Sequence, residues 1–153
     1  MRLTNVFVFA TLVATSACLS AHAASPVEEQ FKAFDLFGTW AAHCDQPATP
    51  ANPHVSINMP NEGTVLEQHD LGAGSTRNLY SVLAAARISD TRLSVAVIFR
   101  PGTQEEERQK LIFLVRNGTR RTMFNQPEGG AVRVKDGVAL AHRIKTPVLK
   151  KCG

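Results

Sequence analysis

Past residue 23, few side chains stand in settings that could do chemistry: Cys44 and Cys152, the histidines His43, His54, His69 and His142, and Ser75 within Gly72-Ala73-Gly74-Ser75. Metal capture needs ligands at a fixed local spacing, as in His-Glu-x-x-His or Cys-x-x-Cys. None of the histidines stands in such a frame and the two cysteines lie at opposite ends, so no metal ligand is assigned. Ser75 lacks the Gly-x-Ser-x-Gly of a nucleophile elbow, and its glycines lack the lysine of a phosphate-binding loop. Glu62, Glu67 and Asp70 fall close to turns, where carboxylates are usually solvated but can also gather at the mouth of a barrel. No catalytic residue and no cofactor follow from these residues. The chemistry that remains is a cross-link between Cys44 and Cys152, with two buried free thiols as its alternative.

The cross-link depends on compartment. Arg2, the apolar stretch over residues 6–19 and Ala21-His22-Ala23 have the order of a secretory signal peptide, removed after Ala23. The stretch is shorter than a spanning helix needs and carries Thr11, Thr15 and Ser16. Thr15-Ser16-Ala17-Cys18 partly matches a lipid-attachment box, which would make Cys18 a membrane anchor and the protein a lipid-anchored envelope component. Either route leads out of the cytoplasm, to the periplasm or beyond. The remaining chain suits one domain and retains an even pair of cysteines, as expected where disulfides persist. Their bond would close a loop of about 107 residues and stabilise the fold by roughly 4 to 5 kcal/mol through unfolded-state entropy.

The elements around these cysteines follow from periodicity. Residues 24–37 read as a helical segment: Ser25-Pro26 starts it, and Val27, Phe31 and Phe34 share one face. From Gly38 the period becomes two. Trp40, Ala42 and Cys44 fall on one side, followed by Val55, Ile57 and Met59, then a more polar strand over Thr64–Asp70. Tyr80, Val82, Ala84, Ala86 and Ile88 continue the inward set, then Leu93, Val95, Val97 and Phe99, then Leu111, Phe113 and Val115. Asn117-Gly118 is a strong hairpin signal, with a return over residues 119–125. Val132 and Val134 form a short strand, and Asp136-Gly137 turns into a last strand over residues 138–144. Eight antiparallel strands joined mostly by short turns predict an all-β, closed up-and-down barrel over residues 38–153, because closure removes the sheet edges. A two-sheet β-sandwich is the alternative.

Gly38-x-Trp40 after a short helical turn resembles the opening of lipocalins and other calycin barrels, and that resemblance implies a tryptophan closing one barrel end. Phe37-Gly38-Thr39-Trp40-Ala41 with Cys44, together with Thr146-Pro147-x-Leu149-x-x-Cys152, is similar to small secreted alphaproteobacterial proteins. The similarity implies export and a terminal disulfide, and it brings no catalytic residues.

Charge divides unevenly. Residues 24–108 hold six basic and eleven acidic side chains, whereas residues 109–153 hold ten basic and two acidic. Arg116, Arg120 and Arg121 crowd about the Asn117-Gly118 hairpin, and Arg133 and Lys135 alternate with valines, so these five are a candidate surface for a protein or an anionic envelope component. The plain alternative is a solvated face. Nucleic acid is not expected, because no aromatic side chains interleave with the cations for base stacking. Ile98, Ile112 and Leu114 fall on the outward side of two strands and need covering, either by the N-terminal helix through Phe31 and Phe34 or by a partner. These features point to a non-catalytic binding module or inhibitor. A carrier of a small apolar ligand within the barrel is the alternative, and the oligomeric state is left open.

Overall fold

The computed structural model describes residues 26–153. The expected signal peptide over residues 1–23, with Cys18, lies outside the described residues. Helix α1 (Pro26–Ala33) leads into β1 (Gly38–Ala41), β2 (His54–Asn61), β3 (Thr64–Asp70), β4 (Asn78–Ser89), β5 (Arg92–Phe99), β6 (Glu107–Arg116) and β7 (Thr119–Pro127). Three two-residue strands, β8 (Val134–Lys135), β9 (Val138–Ala139) and β10 (Ile144–Lys145), precede β11 (Leu149–Cys152). Each of β1 to β7 pairs antiparallel with the next, and β11 pairs with both β7 and β1. The result is a closed eight-stranded antiparallel barrel, not a sandwich.

The closing strand differs from the sequence expectation. Residues 138–144 do not form one wall strand; they belong to a small β8–β9–β10 extension that pairs with β7 at Asn125↔Val134. The ring is completed instead by Leu149–Cys152, whose Leu149 faces Arg120 of β7 and whose Lys150 to Cys152 face β1. A strand of only four residues with two lysines carries almost no periodic signal.

One barrel end is plugged. Phe31, Phe34 and Leu36 are buried with Trp40, Leu93, Val95 and Phe113 in a single core. The buried Trp40 Nε1 donates to the Leu36 carbonyl at 2.8 Å. The helix stops where Asp35 turns to φ 51°, and Lys151 of β11 binds both the Asp35 carbonyl and its carboxylate. Helix α1 therefore fills the barrel end against β3 and β4, and it does not lie over the outer face of β5 and β6.

Two bulges reset which side chains enter. Val82 faces Val97 but Ala84 faces Ala96, so Leu83 is the extra residue and Ala85, not Ala84 or Ala86, packs on the core. Arg87 then lies on the inner side, with its guanidinium over the Phe34 ring at 4.8 Å. Ile88, expected inside, is exposed. In β7 the shift between Ile112 and Phe113 makes Met123 the extra residue, so Asn125 rather than Phe124 points inward, opposite Leu111. Asn117 and Gly118 both have positive φ, 50° and 67°, as the two-residue hairpin requires.

Cys44 and Cys152 are bonded, with 5.6 Å between their Cα atoms and 108 residues of separation. Replacing both with serine should leave the barrel folded but lower its unfolding free energy by about 4 to 5 kcal/mol. Chemical denaturation under oxidising conditions measures this, and an unchanged midpoint would show that closure does not depend on the bond.

Candidate functional site

The barrel end opposite α1 is built differently. Strand alternation sends Val65, Glu67 and His69 of β3 inward, and the two-residue turn at Asn117-Gly118 sets Arg120 opposite the inward Val115. In the ring of eight strands, β3 and β7 are four positions apart in either direction, so Glu67 and Arg120 approach from opposite walls. They meet in a bidentate pair, Arg120 Nη1 to Glu67 Oε2 at 3.1 Å and Nη2 to Oε1 at 2.9 Å, with side chains 3% and 6% exposed. The Arg120 guanidinium also lies 4.3 Å from the Phe113 ring centroid.

Burial alone would raise the Glu67 carboxyl, but the Arg120 charge and the His69 hydrogen bond outweigh it and hold it at about 2. Since that carboxylate can only accept, His69 Nε2, 2.7 Å from Glu67 Oε1, is the protonated nitrogen and donates. The His69 ring stacks at 4.9 Å on Tyr80, and Tyr80 at 5.1 Å on Phe99, so an aromatic wall rises above the charged floor. Burial, helped by Glu67, pushes the Tyr80 hydroxyl well above its usual range and keeps it a neutral donor.

A second network fixes the far wall. Arg133 holds Glu107 through bonds of 2.7 and 2.8 Å, and Gln109 Nε2 donates to Glu107 at 2.6 Å. Although burial acts in the opposite direction, these hydrogen bonds and the Arg133 charge lower the Glu107 carboxyl and keep it an acceptor. The Gln109 amide must therefore present its oxygen to Asn125, whose Nδ2 donates at 2.7 Å. That relay leaves Asn125 Oδ1 buried with no protein partner. Asn125, Tyr80 and Val134 line both an inner cleft of about 290 Å³, shared with His69 and Arg120, and a wider, shallower one of about 710 Å³ that reaches Leu140 and Ala141. The two clefts at this barrel end thus share Tyr80, Asn125 and Val134 and bring together a charged floor and an aromatic wall. A separate groove of about 360 Å³ lies between Leu83, Ala96, Lys110 and Gln126 on the outside of the barrel, without a comparable set of oriented groups.

The five basic residues singled out in the sequence do not form one surface. Arg120 is buried in the ion pair and is unavailable to a surface partner. Arg121 is half-buried, donating to the Gly137 carbonyl at 2.5 Å and to Thr146 Oγ1 at 3.1 Å, which ties β7 to the extension. Arg133 is engaged by Glu107. Arg116 is exposed beside the start of β7, whereas Arg133 and Lys135 stand beside its far end. Ile98, Ile112 and Leu114 are half-buried on the outer face, where register places Leu114 between Arg92 and Arg121 and Ile112 between Ser94 and Phe124. Of the three turn-proximal carboxylates, only Glu67 lines the interior; Asp70 Oδ1 accepts from the Gly72 amide at 2.9 Å and Glu62 is exposed. Missing from the sequence reading were Tyr80, Gln109 and Asn125 as mouth residues. Among the described residues no group of three or more His, Cys, Asp or Glu is placed to hold a metal ion, and no helix is long and apolar enough to cross a membrane. No family model, curated protein or solved structure matches the chain.

Two consequences of the floor can be measured. Glu67→Gln leaves a buried guanidinium without its counter-charge and should cost about 3 to 5 kcal/mol, whereas Glu67→Met with Arg120→Leu should recover most of that loss. Because the folded carboxyl ionises far below the 4.5 of an ordinary glutamate, folding favours its deprotonated form. The contribution, about 3 kcal/mol, is complete above roughly pH 5 and should fade as the pH falls toward 2. Urea unfolding at stepped pH reads it as the difference between wild type and the apolar double variant.

Proposed function

We propose that the protein is an exported binding module, acting without catalysis, that holds a small ligand at the open mouth of its barrel. The observation that carries this reading is the pair of clefts that share Tyr80, Asn125 and Val134, with Asn125 held by the Arg133–Glu107–Gln109 relay and its Oδ1 buried without a protein partner. A buried acceptor left unmade is costly, and a small shift of the Asn125 amide toward the cleft would let a ligand N–H or O–H remove that cost. Tyr80 and Phe99, their rings tilted by 42°, offer an aromatic wall beside it. The cations there are already matched, Arg133 by Glu107 and Arg120 by Glu67, so an uncharged amphipathic molecule fits better than a free anion. A purely apolar ligand seated deeper in the barrel is disfavoured, since the ion pair crosses the interior there. The Cys44–Cys152 bond is compatible with an oxidising compartment, which agrees with a periplasmic or secreted protein.

Native mass spectrometry of the protein isolated from its own host should show a retained small molecule. That mass should disappear in Tyr80→Ala and in Asn125→Leu and persist in Arg116→Ala, which lies away from the mouth. A wild-type protein carrying no bound mass, or a ligand retained by both mouth variants, would count against this role.

A further inference from the structure

The β8–β10 extension carries a surface that the barrel does not explain. Leu140 and Ile144 are 45% and 63% exposed, although a two-residue strand and its turn gain nothing by presenting large aliphatic side chains to water. Ile144 pairs with Ala139, so Leu140 opens the turn formed by residues 140–143 and Ile144 follows it. Register puts Lys135 and Lys145 beside Val138, on the face of the extension opposite Ile144; they and Arg143 are exposed, and none is in an ion pair among the described residues. Cations elsewhere on the same stretch are engaged: Arg133 by Glu107 and Arg121 by Gly137 and Thr146. The only carboxylate between residues 133 and 145 is Asp136.

An aliphatic tip backed by two unpaired lysines is a poor match for a protein partner, since the centres of protein interfaces favour aromatic residues and are depleted in lysine. It does match the boundary of a bilayer, where aliphatic side chains enter below the headgroups and cations meet the phosphates. We propose that the β9–β10 hairpin docks on an anionic lipid surface, with Leu140 and Ile144 entering it and Lys135, Arg143 and Lys145 facing lipid phosphates. Leu140 and Ala141 also line the wider cleft, so docking turns the mouth toward the lipid boundary. The docking itself does not depend on the ligand reading and is tested without any ligand.

A Leu140→Trp variant of the full chain provides a local probe, because the native Trp40 is 1% exposed and bonded to Leu36. With vesicles of phosphatidylglycerol and phosphatidylcholine, the introduced indole should shift to the blue and be quenched by brominated acyl chains beyond the wild-type response. The effect should vanish at about 0.5 M salt, where the Debye length is only a few ångströms. Adding Lys135→Ala, Arg143→Ala and Lys145→Ala should weaken vesicle binding by roughly 100-fold, about fivefold per charge. An introduced indole that responds no more than wild type, an equal response to pure phosphatidylcholine, or undiminished binding by the charge-depleted variant would each overturn the proposal. All four positions are exposed, so an unchanged urea midpoint verifies that each variant is folded.

Discussion

An ionised carboxylate inside a barrel is tolerable only if a cation reaches it and its remaining lone pairs are occupied. Glu67 meets both conditions by joining two strands: Arg120 approaches from the opposite wall and His69 from its own strand. The pair costs desolvation on both sides, so it is weak evidence for stability, but it strongly restricts geometry. With both guanidinium nitrogens committed, β3 and β7 keep a set distance across the interior.

The two ends of the barrel consequently do different work. At the α1 end, aromatic and aliphatic side chains predominate in the packing, and the one buried indole N–H finds the Leu36 carbonyl. At the other end, polar side chains predominate and each orients the next, from Arg133 through Glu107 and Gln109 to Asn125. The apolar end supplies the burial that lets the polar end remain open. The extension sits beside that open end and is fastened to β7 through Arg121, so a load on the hairpin is passed to the wall that carries Asn125 and Arg120.

Much of the wall was legible from the chain. The alternation of Leu93, Val95 and Val97, and the turn chemistry of Asn117-Gly118, predicted strands and pairing that the structure contains. Arg120 was legible too: a two-residue turn after an inward Val115 obliges residue 120 to point inward, yet its neighbours Arg116 and Arg121 made it look like part of a basic surface. The bulge at Leu83 left no trace, because Ala84, Ala85 and Ala86 are identical and shifting one alanine for another changes no pattern. The bulge at Met123 was hidden for a related reason, since residues 122–125 mix polar and apolar types without a period. Hydrogen-bond orientation, which leaves Asn125 Oδ1 without a partner, depends on β6, β7 and the loop before β8 at once and has no local signature.

Ring closure by β11 also bears on the order of assembly. Residues 149–152 come last in chain order, yet they pair with residues 39–41 near the start of the barrel, and until they arrive β1 and β7 each have an unsatisfied edge. A growing chain can build the meander from β1 to β7 step by step through neighbouring hairpins, but its most distant contact must wait for the tail. Oxidation of Cys44 with Cys152 is therefore chemical proof of completion: a molecule carrying that bond has brought its two extremes together, while one with free thiols at these positions can still be an open, association-prone ribbon.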